Sequence, residues 1–505
     1  MKTDDSKSRK SKMNDIRSEK SKTNDRKSQK SKLNDSKSQN RKEKRNEPDS
    51  SSFRYKVARE LAVERMMSQV SQEELAERLG TQKSSVSRIE SGKQNLTLDY
   101  VDDIAYALGK EPVMMLREIL ELEYGDYSRY CLKIYDETLL EFSMERTPSL
   151  KIEILKVNEK RKEVFPLDLE LTPQGIMNWL SHRTIPKHRE KVGDILDSLG
   201  ISKGDIKGII DVCMGLSLND SYWVPQKSLE KTYAEMNLYE NEFSGALALI
   251  AYTGNYMGLE KKLRTTPELT TGGMLRKAWR FFGLDNIWLY KGGTFGFANS
   301  GNEPYSEHYA AQVAERMGIN AIHYDIENWQ GILASKCKLF TDIDTAYIPI
   351  GRVVTEGGID AVLDYYKNQG ESFYEQLVDM LVFDAVIINE DRHYGNFGVL
   401  RDNKSGKIIA PAPVFDNGVS LLCYAMKDDF EENKLKKYIG ERTNPYGYDN
   451  QFIPLAKRIM GKRQRNMLRK LINFKFEDSD VSAFPRWRIE ALEEVVQERV
   501  AELLK

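Results

Sequence analysis

At 505 residues the chain is too long for one ordinary hydrophobic core, so two or more domains are expected. Its formal charge of −1 conceals an asymmetry: the first fifty residues carry 17 Lys/Arg against 9 Asp/Glu, a net +8 that leaves −9 for the remainder. Cys131, Cys213, Cys337 and Cys423 form no C-x-x-C pair, which argues against a structural zinc site or a disulfide framework, and no apolar run suits a signal peptide or a membrane span, so a cytoplasmic protein without membrane contact is expected.

Residues 1–50 repeat a degenerate decapeptide: Ser11-Lys12-Met13-Asn14-Asp15 returns as Ser21-Lys22-Thr23-Asn24-Asp25 and as Ser31-Lys32-Leu33-Asn34-Asp35. So polar a segment buries too little surface to offset the entropy of ordering it and reads as disordered. Its basic charge suits either a solvated tail or a weak tether to DNA phosphates.

Helical periodicity begins at Phe53, and caps mark helices near 53–68, 72–79, 82–91, 98–108 and 112–122, giving a domain over 53–122. Ser71-Gln72-Glu73-Glu74 is a capping box, Gly80 ends that helix, and Thr81 to Glu90 begins the next after a tight turn. With Ala76, Gly80, Val86 and Ile89 at its small and apolar positions, the pattern resembles the Xre/Cro-type helix-turn-helix. That resemblance implies a second helix in the major groove of double-stranded DNA. Gln82, Lys83, Ser84, Ser85, Ser87 and Arg88 would face bases or phosphates, Gln72 would hold the DNA backbone, and a homodimer would read paired half-sites.

Over 125–180 the pattern becomes alternating, as in Tyr130 to Tyr135 and Lys151 to Val157, and predicts a small β-rich unit. Helical signals dominate from about 173 to 245. Trp179, His182 and His188 have no spaced partners and read as packing or surface residues.

Thr270-Thr271-Gly272-Gly273-Met274-Leu275-Arg276-Lys277 is a donor-rich loop that lets backbone amides approach phosphates. A strand ending in Lys291 follows, and then a helix from about Pro304 that carries Glu307, the natural ion-pair partner of that lysine, with Glu303 as competitor. Further on, the apolar run Met380 to Ile388 delivers Asp391, which stands in a D-x-x-x-x-N spacing with Asn396, and Phe415-Asp416-Asn417-Gly418 presents a second Asp. Protein kinases use these groups as catalytic Asp, metal-binding Asn and metal-binding Asp, after a glycine loop and a strand lysine. Hard oxygen ligands of this kind suit magnesium.

Taken together with Leu269 to Gly273, Ser306-Glu307-His308-Tyr309-Ala310 and Asn389-Glu390-Asp391-Arg392-His393, the order resembles the HipA family of bacterial serine/threonine kinases over about residues 125–505. Asp391 to Asn396 also looks like the catalytic loop of phosphoinositide kinases. The HipA resemblance implies an α+β, protein-kinase-like two-lobed fold behind the helix-turn-helix domain. Its parts would be a β-rich unit (125–180), a nucleotide-binding N-lobe with helical insertions (181–345) and a helical C-lobe with the catalytic loop (346–505).

It further implies an enzyme using ATP and Mg2+ on a protein Ser/Thr acceptor. Asp391 would be catalytic, and Lys291, Glu307, Thr270, Thr271, Gly272, Gly273, Asn396 and Asp416 would bind the nucleotide. Asn396 and Asp416 would hold the metal, and Thr270 or Thr271 would be an autophosphorylation site. Chain order places the hinge between lobes in Ile332 to Tyr347. Three departures stand out: Asn417 replaces the Phe of D-F-G, Arg276 adds charge to the loop, and the DNA-binding part, a separate antitoxin in toxin–antitoxin relatives, shares this chain. Competing readings are a transcriptional regulator with a catalytically idle kinase-like half and a small-molecule or lipid kinase.

Overall fold

The computed structural model describes residues 53–110, 129–147, 149–254, 265–479, 481 and 484–505. The basic repeats of 1–50 and the helix expected at 112–122 lie outside the described residues.

Four short helices open the described chain: α1 (Phe53–Met67), α2 (Gln72–Arg78), α3 (Lys83–Glu90) and α4 (Leu98–Ala107). Their apolar faces meet at Leu61, Val70, Leu75, Val86, Val101 and Ile104. The Ser71 hydroxyl caps α2 by accepting from the Glu74 amide at 3.0 Å. The reciprocal half of the expected capping box does not form. Glu74 lies one helical turn before Arg78, and its carboxylate accepts from that guanidinium at 2.6 Å instead. Gly80, at φ 61°, supplies the left-handed residue that ends the helix.

Beneath these helices Arg65 and Glu90 form a buried ion pair through two N–H···O bonds of 2.6 and 3.0 Å. Gln72 completes it, its amide donating to Glu90 at 2.7 Å. The opposite side of α1 docks on the next part of the chain. Arg59 donates to the Gly200 carbonyl at 2.6 Å, the Tyr55 and Ser202 hydroxyls lie 3.2 Å apart, and Met66 packs against the cluster containing Ile195 and Ile209.

Strands β1 (Arg129–Ile134), β2 (Glu137–Thr147) and β3 (Ser149–Val157) form an antiparallel meander that β4 (Tyr222–Trp223) extends, in the order β3-β2-β1-β4. Helix α5 (Pro173–His182) covers it with a buried Trp179, whereas His182 and His188 are exposed. Helices α6 (Val192–Ser198), α7 (Ile206–Cys213) and α8 (Gly245–Thr253) then build a helical layer.

A second antiparallel sheet comprises β5 (Lys277–Phe281), β6 (Ile287–Gly292), β7 (Asp325–Trp329) and β8 (Ile332–Lys338) in the order β5-β6-β8-β7, with α9 (Glu303–Met317) packed on it. The chain crosses to a third sheet, where β9 (Thr345–Pro349) joins β10 (Gly398–Asp402) and β11 (Ile408–Pro411). The crossing lies inside the expected hinge. Phe340 there packs on Tyr347 and Phe415, with ring centroids 5.6 and 5.3 Å away.

Around this third sheet stand α10 (Gly358–Gln369), α11 (Glu371–Ile387), α12 (Phe452–Ile459), α13 (Lys462–Arg469) and α14 (Arg486–Leu504). Helix α11 is the hub. It is buried continuously from Leu377 to Ile387, so its apolar run is helical core.

The Arg65–Glu90 pair sets an expected outcome. Glu90→Ala leaves a buried guanidinium unpaired and should destabilise the helical domain by about 3–5 kcal/mol. Hydrogen exchange of amides within 53–107 checks this.

Candidate active site

Five elements converge on one cleft. Helix α11 ends at Ile387, and Ile388, at a φ of 53°, turns the chain sharply into the loop carrying Asp391 and Asn396. Strand β6 supplies Lys291 and α9 supplies Glu307. The Asp416 segment reaches the same place because Val414 donates to Asn320 O at 2.9 Å and accepts from the Ile322 amide at 2.8 Å. The Thr270 to Gly273 loop, leading into β5, forms the fifth side.

Lys291 bonds to Glu307 and also donates to Asp416 at 2.6 Å. Glu303, the competitor, is used elsewhere, accepting from the Thr294 amide at 3.1 Å. Burial pushes Lys291 towards neutrality, but the Asp416 and Glu307 carboxylates outweigh it and hold its affinity for the proton above the ordinary lysine value. Burial likewise raises Asp416 on its own, yet Lys291 and Lys277 pull it well below the usual carboxylate range. Glu307 is raised by its deep burial, which the attraction of Lys291 only partly offsets.

The other Glu307 oxygen accepts from the Asn417 amide at 2.9 Å. Asn417 stands where kinases place the Phe of D-F-G. It is fully buried, and its side-chain oxygen accepts from Arg392 at 2.6 Å. Arg392 in turn grips Asp384 of α11 in a bidentate pair at 2.9 and 3.0 Å and donates to the carbonyls of Asn396 (3.0 Å) and Phe415 (2.6 Å). One guanidinium thus ties the core helix, the Asp391–Asn396 loop and the Asp416 segment together. Asp384 was legible as the lone charge in an apolar run, eight residues before Arg392; nothing in the spacing marked Asn417.

Asp391 is half-buried. Its backbone carbonyl accepts from the Asn396 amide group at 3.0 Å, and its own N–H donates to Asn389 at 3.2 Å. The carboxylate itself has no hydrogen-bond donor among the described residues, so it is free to accept one. Burial raises its pKa, and the negative charge of Asp416 raises it further.

The residues present fit a magnesium ion. Asn396 spends its amide nitrogen on Asp391 and leaves its side-chain oxygen without a donor, and Asp416 uses only one oxygen on Lys291. Two hard oxygens therefore remain available at the cleft, the number that magnesium takes from protein while completing its shell with phosphate and water.

In the loop before β5, Gly272, Gly273 and Met274 are exposed, and among the described residues their amides donate to no backbone partner. The two hydroxyls are tethered. Thr270 donates to Leu216 O at 2.7 Å, and Thr271 donates to Pro267 O at 2.7 Å while accepting from the Trp279 indole at 3.0 Å. Arg189, unmarked by any motif, braces the loop by donating to the carbonyls of Glu268 (3.1 Å), Thr271 (3.3 Å) and Lys277 (2.6 Å) and to the buried Glu268 carboxylate (2.9 Å). Arg276 pairs with Glu190.

At the other end of the molecule, Gln82, Ser84 and Arg88 are exposed at α3 and Lys83, Ser85 and Ser87 are half-buried, a polar face along one short helix. Gln72 is the exception to the expected face. It is 4% exposed, because its amide is drawn into the Arg65–Glu90 pair.

Residues 59–114 match the Helix-turn-helix family model, and this part of the chain is a helix-turn-helix domain. The chain is similar to the serine/threonine-protein kinase CtkA of Helicobacter pylori (strain J99 / ATCC 700824), 28% identical over 156 residues that make up 28% of this chain and 46% of that relative. It therefore spans less than half the length of the relative it matches. Among solved structures, the Helicobacter pylori proinflammatory kinase CtkA aligns at 18% identity and a TM-score of 0.35, over 45% of this chain and 91% of that one. The Shewanella oneidensis MR-1 toxin–antitoxin complex of HipA, HipB and operator DNA aligns at 15% identity and a TM-score of 0.43, over 74% of this chain and 99% of that one. No helix among the described residues is long and apolar enough to cross a membrane.

Electrostatic coupling across the cleft gives a titration to measure. Asp391 should lose its proton above the ordinary aspartate value, and Asp416→Asn should move that midpoint down by removing the opposing charge. Carbon-detected NMR titration of the Asp391 carboxyl reports it; an unchanged midpoint rules Asp416 out as a cause.

Proposed function

We propose that the chain is an ATP- and Mg2+-dependent HipA-like serine/threonine protein kinase joined to a DNA-binding domain that acts on double-stranded DNA as a homodimer. The observation that carries the reading is the convergence of Lys291, Glu307, Asp391, Asn396 and Asp416 on one cleft, from elements up to 125 residues apart in sequence. The similarity to a serine/threonine-protein kinase supports it, and the helix-turn-helix match supports the DNA partner.

In the mechanism that follows, the open amides of Gly272 and Gly273 and the Lys291 ammonium hold the nucleotide phosphates. Glu307 keeps Lys291 extended towards them. The Asn396 and Asp416 oxygens would hold magnesium, which when bound neutralises phosphate charge. Asp391, with its carboxylate unengaged, orients an acceptor hydroxyl of Ser or Thr and takes its proton as the phosphoryl group transfers. Positioning and charge stabilisation supply most of the acceleration.

Thr270 and Thr271 are the candidate acceptors within the chain itself. Added charge there competes with the nucleotide phosphates and silences the enzyme. Because both hydroxyls are tethered, transfer to them requires the loop to open.

Asp391→Asn should leave the fold intact and cost about 3–5 kcal/mol of transition-state stabilisation, roughly two to four decades in rate. Incorporation of labelled phosphate at the wild-type rate would overturn the assignment. Mass spectrometry after incubation with ATP and Mg2+ should find phosphate within residues 265–277 of the wild type and none there in Asp391→Asn.

A further inference from the structure

Residues 1–40 carry a regularity that the helix-turn-helix domain and the cleft do not account for. Three positions of the decapeptide are the same in all four turns: a Lys (Lys2, Lys12, Lys22 and Lys32), an Asp three residues on (Asp5, Asp15, Asp25 and Asp35) and a Ser three beyond that (Ser8, Ser18, Ser28 and Ser38). The residue before each of those serines is Lys or Arg, and Ser11, Ser21 and Ser31 each stand between two lysines. A solvated tail or a tether to DNA phosphates needs the cations and no hydroxyl in fixed register with them. Hydroxyls repeated in one basic setting are the form of a multisite phosphoacceptor.

The cleft is short of an acceptor. Thr270 and Thr271, the hydroxyls already beside it, are both bonded to backbone carbonyls. The repeats can supply one. They lead into α1 at Phe53, and α1 is docked through Arg59 and Tyr55 on the body that holds the cleft. Ser28 lies 25 residues before Phe53, and Ser8 lies 45 residues before it. At about 3.3 Å per residue these lengths reach about 80 and about 150 Å, whereas a folded body of this many residues is roughly 60 Å across. Charge favours the approach as well, since residues 1–50 carry +8 and the remainder −9.

Resting on the kinase reading, we propose that the serines of residues 1–40 are phosphoacceptors of this chain's own kinase site, modified in cis, and that the added phosphates cancel the positive charge of the repeats. The serine Oγ forms a bond to the γ-phosphorus of ATP as the bond from that phosphorus to the β–γ bridging oxygen breaks. ADP leaves, and the hydroxyl proton passes to Asp391. Each phosphate adds about −1.5 to −2 charges at pH 7, so roughly four or five offset the net +8. A polycation holds DNA by displacing counterions, and that hold scales with the phosphates it neutralises. Once phosphorylated, the repeats give it up and the helix-turn-helix domain is left to bind alone.

Incubation of the full chain with ATP and magnesium, followed by mapping of phosphate by mass spectrometry, tests the proposal. At least two of Ser8, Ser18, Ser28 and Ser38 should carry phosphate in the wild type, and residues 1–40 should carry none in Asp391→Asn. ADP formation without phosphate on residues 1–40 overturns the proposal while leaving the kinase reading standing; no ADP at all sinks both. The initial rate per molecule should hold across a hundredfold dilution, and a rate that falls in proportion to the dilution overturns modification in cis. The phosphorylated chain should bind a random-sequence duplex at least tenfold more weakly at about 0.1 M salt, with a shallower dependence of log K on log salt. Equal affinity and slope before and after phosphorylation overturn the charge-cancelling role.

Discussion

The Glu307 carboxylate is the interaction on which the cleft depends. One oxygen holds Lys291 of the second sheet and the other accepts from the Asn417 backbone of the third-sheet side. Because the residue is 1% exposed, the two bonds operate where water does not compete. A single side chain on α9 thereby ties the second sheet to the segment that carries Asp416. The amino end of α9 is fixed as well: Asn302 donates to Cys423 O at 2.8 Å and Ser306 to Ser420 O at 3.0 Å. With its acid bound on both sides, α9 has little freedom to swing.

The segment after Asp416 is equally constrained. Leu421 and Leu422 are consecutive residues at φ 49° and 52°, and Asp416 itself lies at 58°. Left-handed conformations cost non-glycine residues roughly 1–2 kcal/mol each, so these turns persist only where the surroundings over-determine them. Arg488 of α14 does so by donating to the carbonyls of Ala425 (2.8 Å), Leu422 (2.7 Å) and Cys423 (3.2 Å), and Leu421 donates to Ile387 O at 2.7 Å. In place of a switching Phe, the buried Asn417 accepts a hydrogen bond from Arg392 through its side-chain oxygen. The absent D-F-G thus corresponds to a different kind of joint, one held by hydrogen bonds instead of by an aromatic ring in a pocket.

Much of this was legible in the residues alone, and the exceptions share a cause. Helices announced by local signals, such as Ser71, Gly80 and the apolar stripe around Val86, end within a residue or two of expectation, because caps act over three or four positions. The Lys291–Glu307 pairing was readable because a kinase-like order limits the partners of a strand lysine. Gln72 was misplaced because its fate depends on Arg65 and Glu90, residues 25 apart that meet only in the tertiary fold. Lys277 was read as the last residue of the donor-rich loop, whereas it opens β5 opposite Lys291, a register set only by the sheet. The role of Asn417 followed from Asp384, 33 positions earlier, through a guanidinium that both share. Long-range polar satisfaction is what a local reading cannot see.

The docking of α1 has one more consequence. Residues 111–128 connect the helix-turn-helix domain to β1, so the two docking surfaces belong to one chain. Covalent connection converts their association into an intramolecular event, whose extent does not depend on protein concentration. Among its anchors are Arg59 on Gly200, Tyr55 on Ser202, and the packing of Met66. In this chain, fusion substitutes for affinity, and the docked arrangement does not loosen as the protein becomes scarce.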